Sequence, residues 1–341
     1  MLDLDFENGL APEVRAVLTS KLLTDFEFFT RFFFKQMTGR KFVRAPHHKL
    51  IADKMRAVAR GDIKRLIVNI PPRYGKTELC VKMFIAWCMA NNPRAKFMHL
   101  SYADSLVKDN SDYIRDIIKC PAYQYLFPET VISPKTDAKE KWYTTQGGGL
   151  YAVSTGSPIT GFGAGDFGDR QYQGTGSDAD GFGGAIIIDD PLKPADAISE
   201  LKRERINNRY NNTIASRVNN PGVTPVILIM QRLHNHDMAG FLMDGGSGET
   251  WEQLVLPAIK EDGTALWPEK HSIEKLKEMR DADPETFASQ YQQSPMVEEG
   301  NIFKREWFKF YDRKSLPVIF DRVFQSWDFT FKKTVHTDNI C

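Results

Sequence analysis

From residue 65 onward, hydrophobic positions come in short unbroken runs separated by longer stretches of helical spacing. The run RLIVNI (65–70) is short and apolar, KFMHLSY (96–102) is strand-like, and GGAIIIDDP (183–191), TPVILIMQRL (224–233) and WEQLVLPAI (251–259) are β-rich. They read as buried, mostly parallel strands. Between them, ELCVKMFIAWCMANNP (78–93), ended by Pro93, and DSLVKDNSDYIRDIIK (104–119), opened by an aspartate, are predicted helices. The polar segment AISELKRERINNRYNNTIASRV (197–218) is predicted to be helical as well. Strand and helix in alternation predict an α/β domain whose sheet is covered on both faces.

Upstream of residue 65, apolar positions keep helical spacing. LLTDFEFFTRFFFKQ (22–36) and HHKLIADKMRAVARGD (47–62) are predicted helices, the phenylalanines packing on the main domain. Two stretches break the pattern. Residues 154–184 are rich in Gly, Ser and Asp and predict a long mobile loop, and residues 256–303 predict a connector with one helix before a last β-like run, RVFQSWDFTFKK (322–333).

Composition narrows the reading. With 341 residues, one large α/β domain with appendages or two domains is expected. A net charge of +1 supplies no global field for nucleic acid or membrane, so any such surface must be a local patch. Cys80, Cys88, Cys120 and Cys341 form no C-x-x-C pair and read as reduced thiols. The N-terminus is acidic without an apolar core of its own, which argues against secretion, and the longest apolar run is too short to span a bilayer.

The chemistry begins at PPRYGKT (71–77). A strand, a tight turn, a lysine, a hydroxyl and a helix start follow in the order a phosphate cradle needs, although Ile70 occupies the first glycine of G-x-x-x-x-G-K-[ST]. Pro71 and Pro72 can stiffen the turn instead. An acidic residue at another strand end should hold Mg²⁺. AIIIDDP offers Asp189 for the metal and Asp190 to orient an attacking water. A third strand ends in Gln231 and Arg232, either polar reporters of the γ-phosphate or surface residues after a core strand. Arg73 could pair with phosphate or with a nearby acid. His234, His236 and Asp237 read as a polar helix start rather than a metal site, and Lys202, Arg203, Arg205 and Arg209 as a DNA-facing helix or a solvated face.

Together, PPRYGKT, STGSPITGFGAG, AIIIDDPLKPADA, VILIMQRLHNHDMAG, LVLPAI, LWPEKHS, FASQYQQSP and QSWDFTF resemble, in order, the large terminase subunits that package DNA in tailed bacteriophages and related prophages. The resemblance runs from about residue 40 to 335. It implies an ASCE-type P-loop ATPase that hydrolyses ATP with Mg²⁺, and residues 72–77 as the nucleotide loop: Pro72, Arg73, Tyr74, Gly75, Lys76 and Thr77. Thr77 and Asp189 would be metal ligands, and Lys76, Arg73, Asp190 and Gln231 catalytic residues. Packaging ATPases often carry glutamate where this chain has Asp190, and the glycine-rich stretch 161–184 is longer than that family suggests.

The implied organisation is a helical segment (1–60) packing on the ATPase, the ATPase domain (61–260), a connector (261–315) and the beginning of an RNase H-like nuclease (316–341). Asp328 would be the first nuclease metal ligand of a second Mg²⁺ or Mn²⁺ site. A two-metal nuclease needs several carboxylates, and Asp338 is the one acid after it, so a fragment or a truncated product without nuclease activity is expected. The implied partners are double-stranded DNA, a portal protein, a small terminase subunit and a homo-oligomeric ring at the procapsid portal, in the bacterial cytoplasm and away from membranes. A helicase-like ATPase, or an inactive remnant that binds DNA or portal, is the alternative.

Overall fold

Side chains on successive strand residues point to opposite faces, and in this sheet both faces are apolar. The structure is a computed structural model, and it describes residues 9–159, 161–166 and 170–295, with Arg322 and Phe324. The chain divides into two units, Met1–Met296 and Val297–Cys341. Asp328, Asp338 and Cys341 lie outside the described residues, so the nuclease expectation does too.

The strands are β1 (Arg65–Asn69), β2 (Lys96–Ser101), β3 (Ile132–Asp137), β4 (Lys141–Thr144), β5 (Gly149–Ser154), β6 (Ile186–Asp189), β7 (Val226–Met230) and β8 (Glu252–Val255). They form one sheet of eight in the order β3-β4-β5-β2-β6-β7-β1-β8. Pairing is parallel from β5 to β8, and β3 and β4 add antiparallel at the other edge. The predicted fold class, α/β with a mostly parallel sheet flanked by helices, is the observed one. β7 lies between β1 and β6.

The helices are α1 (Pro12–Thr24), α2 (Phe26–Thr38), α3 (Pro46–Arg60), α4 (Phe84–Asn91), α5 (Asp104–Lys119), α6 (Pro121–Leu126), α7 (Pro194–Ala197), α8 (Glu200–Arg209), α9 (Met238–Met243), α10 (Ile273–Ala282) and α11 (Pro284–Thr286). One sheet face carries Leu66, Val68, Phe97, Ile187, Ile227 and Ile229 under the first six of them. The opposite face carries Ile67, Met98, Leu100, Ile186, Ile188 and Leu228, covered by Tyr210, Ile214 and the α9 side chains.

The phenylalanine stretch is not continuous with what precedes it. Asp25 leaves helical geometry between α1 and α2, and its Oδ1 accepts from Phe28 N at 2.9 Å, capping α2. Phe26, Phe29, Phe32 and Phe33 are buried; Phe26 meets Trp87 at 5.0 Å between ring centroids, and Phe33 meets Tyr123 at 5.4 Å.

Beyond Ser154, which ends β5, the expected mobile loop has no helix or strand among its described residues, but it is tied down. Arg170 donates to the carbonyls of Arg60, Asp178 and Asp180, and Asp178 pairs with Arg56 at 2.6 Å. Ala179 and Phe182 sink into the core. Composition predicted the lack of regular structure, and the anchoring arginines and buried side chains decided the rest.

Three histidines, His47, His48 and His99, are buried with lowered pKa values, and for the last two the shift is large. Burial lowers the pKa of His99 to about 4, and burial together with the neighbouring His47 lowers that of His48 to about 3. For a base depressed in the folded state, stability is complete above the unfolded value near 6.5 and is lost as pH falls toward the folded one. Each should withdraw about 2 kcal/mol between pH 7 and pH 5. Urea titrations at both pH values check this; His99→Gln is expected to lessen the pH dependence by about 2 kcal/mol, and an unchanged dependence would refute it.

Candidate functional site

Polar chemistry collects where β1, β6 and β7 end. β1 runs into Ile70 and then into a turn with left-handed backbone at Arg73 (φ 64°) and Gly75 (φ 87°). Helix begins at Lys76 and passes through a π-helical stretch, Glu78–Met83, before α4. Such stretches are frequent at functional sites. Its first N–H groups have no partner within the helix, so they and the positive dipole end face the turn.

Ile70 needs no glycine's freedom. Its side chain is fully buried in the core and its N–H donates to Met230 O at 3.3 Å, so it extends the strand, and the left-handed positions fall later. Gly75 cannot be replaced as easily: a Cβ there would lie 2.9 Å from His48 Nε2. The loop rests on an aromatic floor. His47 Nε2 lies 3.1 Å from Tyr74 O, and the Tyr74 hydroxyl lies 2.9 Å from His271 Nδ1. The buried Tyr74 ring, 5.8 Å from that of Trp267, is turned away from the cleft, so only its backbone belongs to the cradle.

Four residues singled out in the sequence converge. Thr77 Oγ1 donates to Asp189 Oδ2 at 2.6 Å, and Lys76 Nζ pairs with Asp190 at 2.7 and 2.9 Å. Asp190 has left-handed backbone (φ 45°), fixed by Asp190 N donating to Ile229 O at 2.9 Å and Tyr102 N donating to Asp190 O at 3.0 Å. Burial, and then the Asp190 charge, raise the Asp189 pKa to about 7 against the opposing pull of Lys76, the Thr77 hydroxyl and Lys82.

These groups line an open cleft of about 630 Å³, together with Pro72, the exposed Arg73 and Gln231. Gln231 is 8% exposed; its N–H reaches Asp190 Oδ1 at 3.4 Å and its side-chain amide reaches Gln290 Oε1 at 3.4 Å. Arg232 takes another path: Nε donates to Asp237 at 3.0 and 3.1 Å, and its terminal nitrogen to the carbonyls of His234 and Asn235. Asp237 caps α9 by accepting from Gly240 N at 2.9 Å, so this group is the helix start the sequence predicted. On α8, Arg203 donates to Ala197 O and Ile198 O, Arg209 to Ser157 O, and Lys202 pairs with Asp196, which leaves Arg205 exposed to solvent.

The donor set fits a small hard cation. Asp189 Oδ1 is buried without a hydrogen-bond partner among the described residues, beside the Thr77 hydroxyl. An orphaned anionic oxygen is costly unless something positive meets it. Among the described residues no group of three or more His, Cys, Asp or Glu could hold a metal ion. Mg²⁺ is usually held by one or two protein oxygens plus phosphate and water, and the Thr77 hydroxyl and the Asp189 carboxylate are oxygens of that kind. The turn, the helix start and Lys76 supply the matching anion site.

Three contributors were not found in the sequence. Lys82 lines the cleft, pairs with Glu78 at 3.2 Å and sits 4.3 Å from the Tyr113 ring centroid; the i,i+4 spacing alone could have flagged it. Gln290 and Gln293 arrive from some sixty residues downstream of β7, with no local signal.

No family model matches the chain. A search of curated proteins finds no match either. Among solved structures, the chain is similar to the crystal structure of the HK97 bacteriophage large terminase, with a TM-score of 0.46 and 11% identity, over 80% of this chain and 55% of that one. The chain thus spans about half the length of that protein. No described helix is long and apolar enough to cross a membrane.

Proposed function

We propose that the chain is an ATP-hydrolysing motor subunit of the large terminase kind, driving double-stranded DNA into a procapsid. The observation that carries the ATPase reading is the convergence of Lys76, Thr77, Asp189 and Asp190 on one cleft beside a left-handed turn and a helix start. The order of the packaging motifs in the sequence carries the DNA part.

In this reading the loop N–H groups and the Lys76 ammonium bind the β- and γ-phosphates. Thr77 Oγ1 and Asp189 hold Mg²⁺, which when bound neutralises charge on the phosphate oxygens. Asp190 orients the attacking water and accepts its proton, Arg73 reaches over the phosphates from the crest of the turn, and Gln231 reports the change in phosphate. Lys76 is held by Asp190 at 2.7 Å. Arriving phosphates compete for it, so substrate binding itself frees the carboxylate for water.

The ATPase domain would comprise residues 61–260, with helices of 1–60 packing on it and a connector after it. Partners would be double-stranded DNA, a portal protein, a small terminase subunit and further copies in a ring, in the cytoplasm of a bacterial host. The test is nucleotide binding and ATP turnover by the full chain with Mg²⁺, with and without double-stranded DNA. Turnover that depends on Mg²⁺ and rises with duplex DNA is expected. A chain that binds no nucleotide would overturn the ATPase reading, and turnover indifferent to DNA would overturn the motor.

A further inference from the structure

The segment Phe287–Tyr291, a short π-helical turn, and the two glutamines after it do more than connect. Gln293 is 5% exposed and adopts left-handed backbone (φ 58°), an unfavourable state for a residue with a long side chain. It is held there from both ends of its amide: Oε1 accepts from Arg232 N at 3.0 Å, and Nε2 donates to Gln290 O at 2.5 Å. Gln290 in turn offers Oε1 to the side-chain amide of Gln231, which lines the cleft. Gln292 brackets Ile259 beyond β8, accepting from its N–H at 2.8 Å and donating to its carbonyl at 3.1 Å. Three glutamines within four residues thus bind the chain just after β7 and just after β8, the two strands that flank β1.

The same turn also touches the loop under the cleft. The Phe287 and Tyr291 rings stack at 5.5 Å, Tyr291 lies 6.4 Å from the His271 ring, and His271 meets the Tyr74 hydroxyl. Both the phosphate-loop side and the β7 tip therefore bear on residues 287–293. The Gln231–Gln290 bond is long, at 3.4 Å, and links a side chain open to the cleft with one half-buried behind it. A bond of that kind changes partner when a better acceptor arrives, and the acceptor left behind is then short of a donor.

We propose that Gln290 and Gln293 are positioning residues for Gln231, and that the turn they form changes its hydrogen bonding when the cleft is filled. The proposal rests on the nucleotide reading of the cleft. Gln293 fixes the main chain at the β7 tip and Gln290 fixes the Gln231 amide. Rearrangement of the pair passes the state of the cleft to the chain that follows residue 293.

The test uses the full chain, a non-hydrolysable ATP analogue with Mg²⁺, and hydrogen exchange read at residues 70–80 and 286–294. In the wild type both stretches should respond; in Gln290→Ala only the first should. In turnover, Gln290→Ala should lower kcat about tenfold with KM within about twofold. Gln290→Glu keeps the acceptor and should recover most of the rate, and Gln231→Ala/Gln290→Ala should be no slower than Gln231→Ala. A response at 70–80 with none at 286–294 in the wild type, or equal losses in Gln290→Ala and Gln290→Glu, overturns the proposal and leaves the nucleotide reading standing. No response at 70–80 in the wild type overturns that reading, and the proposal with it.

Discussion

Lys76→Ala is expected to reduce ATP turnover roughly a thousandfold and to weaken nucleotide binding together with it. The Lys76 side chain is 7% exposed and its ammonium is the cation inside the cradle; Arg73 stands at the solvent-facing crest. Removing it strips the phosphates of their charge partner in a place where water screens weakly, and it leaves Asp190 without its ion pair. Asp189, already raised by burial and by the Asp190 charge, loses a cation that pulls its pKa down, and so holds a proton more firmly against a metal. Lys76→Arg keeps the charge but brings a planar fork into a space shaped for a point charge, so it should restore little. Steady-state turnover and equilibrium binding of a fluorescent ATP analogue decide the matter. A Lys76→Ala protein at wild-type rate would end the proposed mechanism.

Much of this fold is written in short-range pattern. β1, β2, β6 and β7 are legible because strands buried on both faces need mostly apolar runs, and these four have them; β8, an edge strand with Glu252 and Gln253 in it, is legible from the apolar residues that follow them. The antiparallel edge is not. ISPKTD carries a proline and mostly exposed side chains, and KWYT is four residues long; each becomes a strand through its neighbour, with β5 pairing β4 and β4 pairing β3. Edge strands need little hydrophobicity of their own, so pattern says little about them. The break at Asp25 was legible in principle, since an aspartate followed by an apolar helical stretch is a capping signal, but the phenylalanines around it masked the interruption.

The candidate site was legible where chemistry is local. Lys76 and Thr77 are placed by the turn they end, and Asp189 and Asp190 by the strand they end. Their convergence follows from the parallel sheet, in which strand ends meet at one edge. What sequence could not give is which polar side chains are already committed. Arg232 is occupied by Asp237 and two carbonyls, and the Tyr74 side chain by the aromatic floor, whereas Gln231 shares its amide with a turn some sixty residues away. Those choices depend on partners distant in sequence, and no local spacing encodes them.

Asp190 is where the expected signs separate. Asp190→Asn should lower turnover by about a hundredfold or more, yet nucleotide should bind the variant at least as tightly as it binds the wild type. Asp190 holds Lys76 at 2.7 Å, so part of the binding energy of phosphate would go into breaking that pair. An amide at this position releases the lysine beforehand while removing the base. Lys76→Ala, by contrast, loses binding and turnover together, so the two variants distinguish charge recognition from water activation. The backbone also favours aspartate over glutamate at this position. At φ 45° Asp and Asn are the non-glycine residues best tolerated, and a longer β-methylene chain is strained there. Asp190→Glu is therefore expected to unfold at a lower temperature than Asp190→Asn and to recover only part of the rate, despite restoring the carboxylate. Thermal melts read beside turnover and binding check all three statements, and an Asp190→Asn chain with wild-type turnover would remove Asp190 from the mechanism.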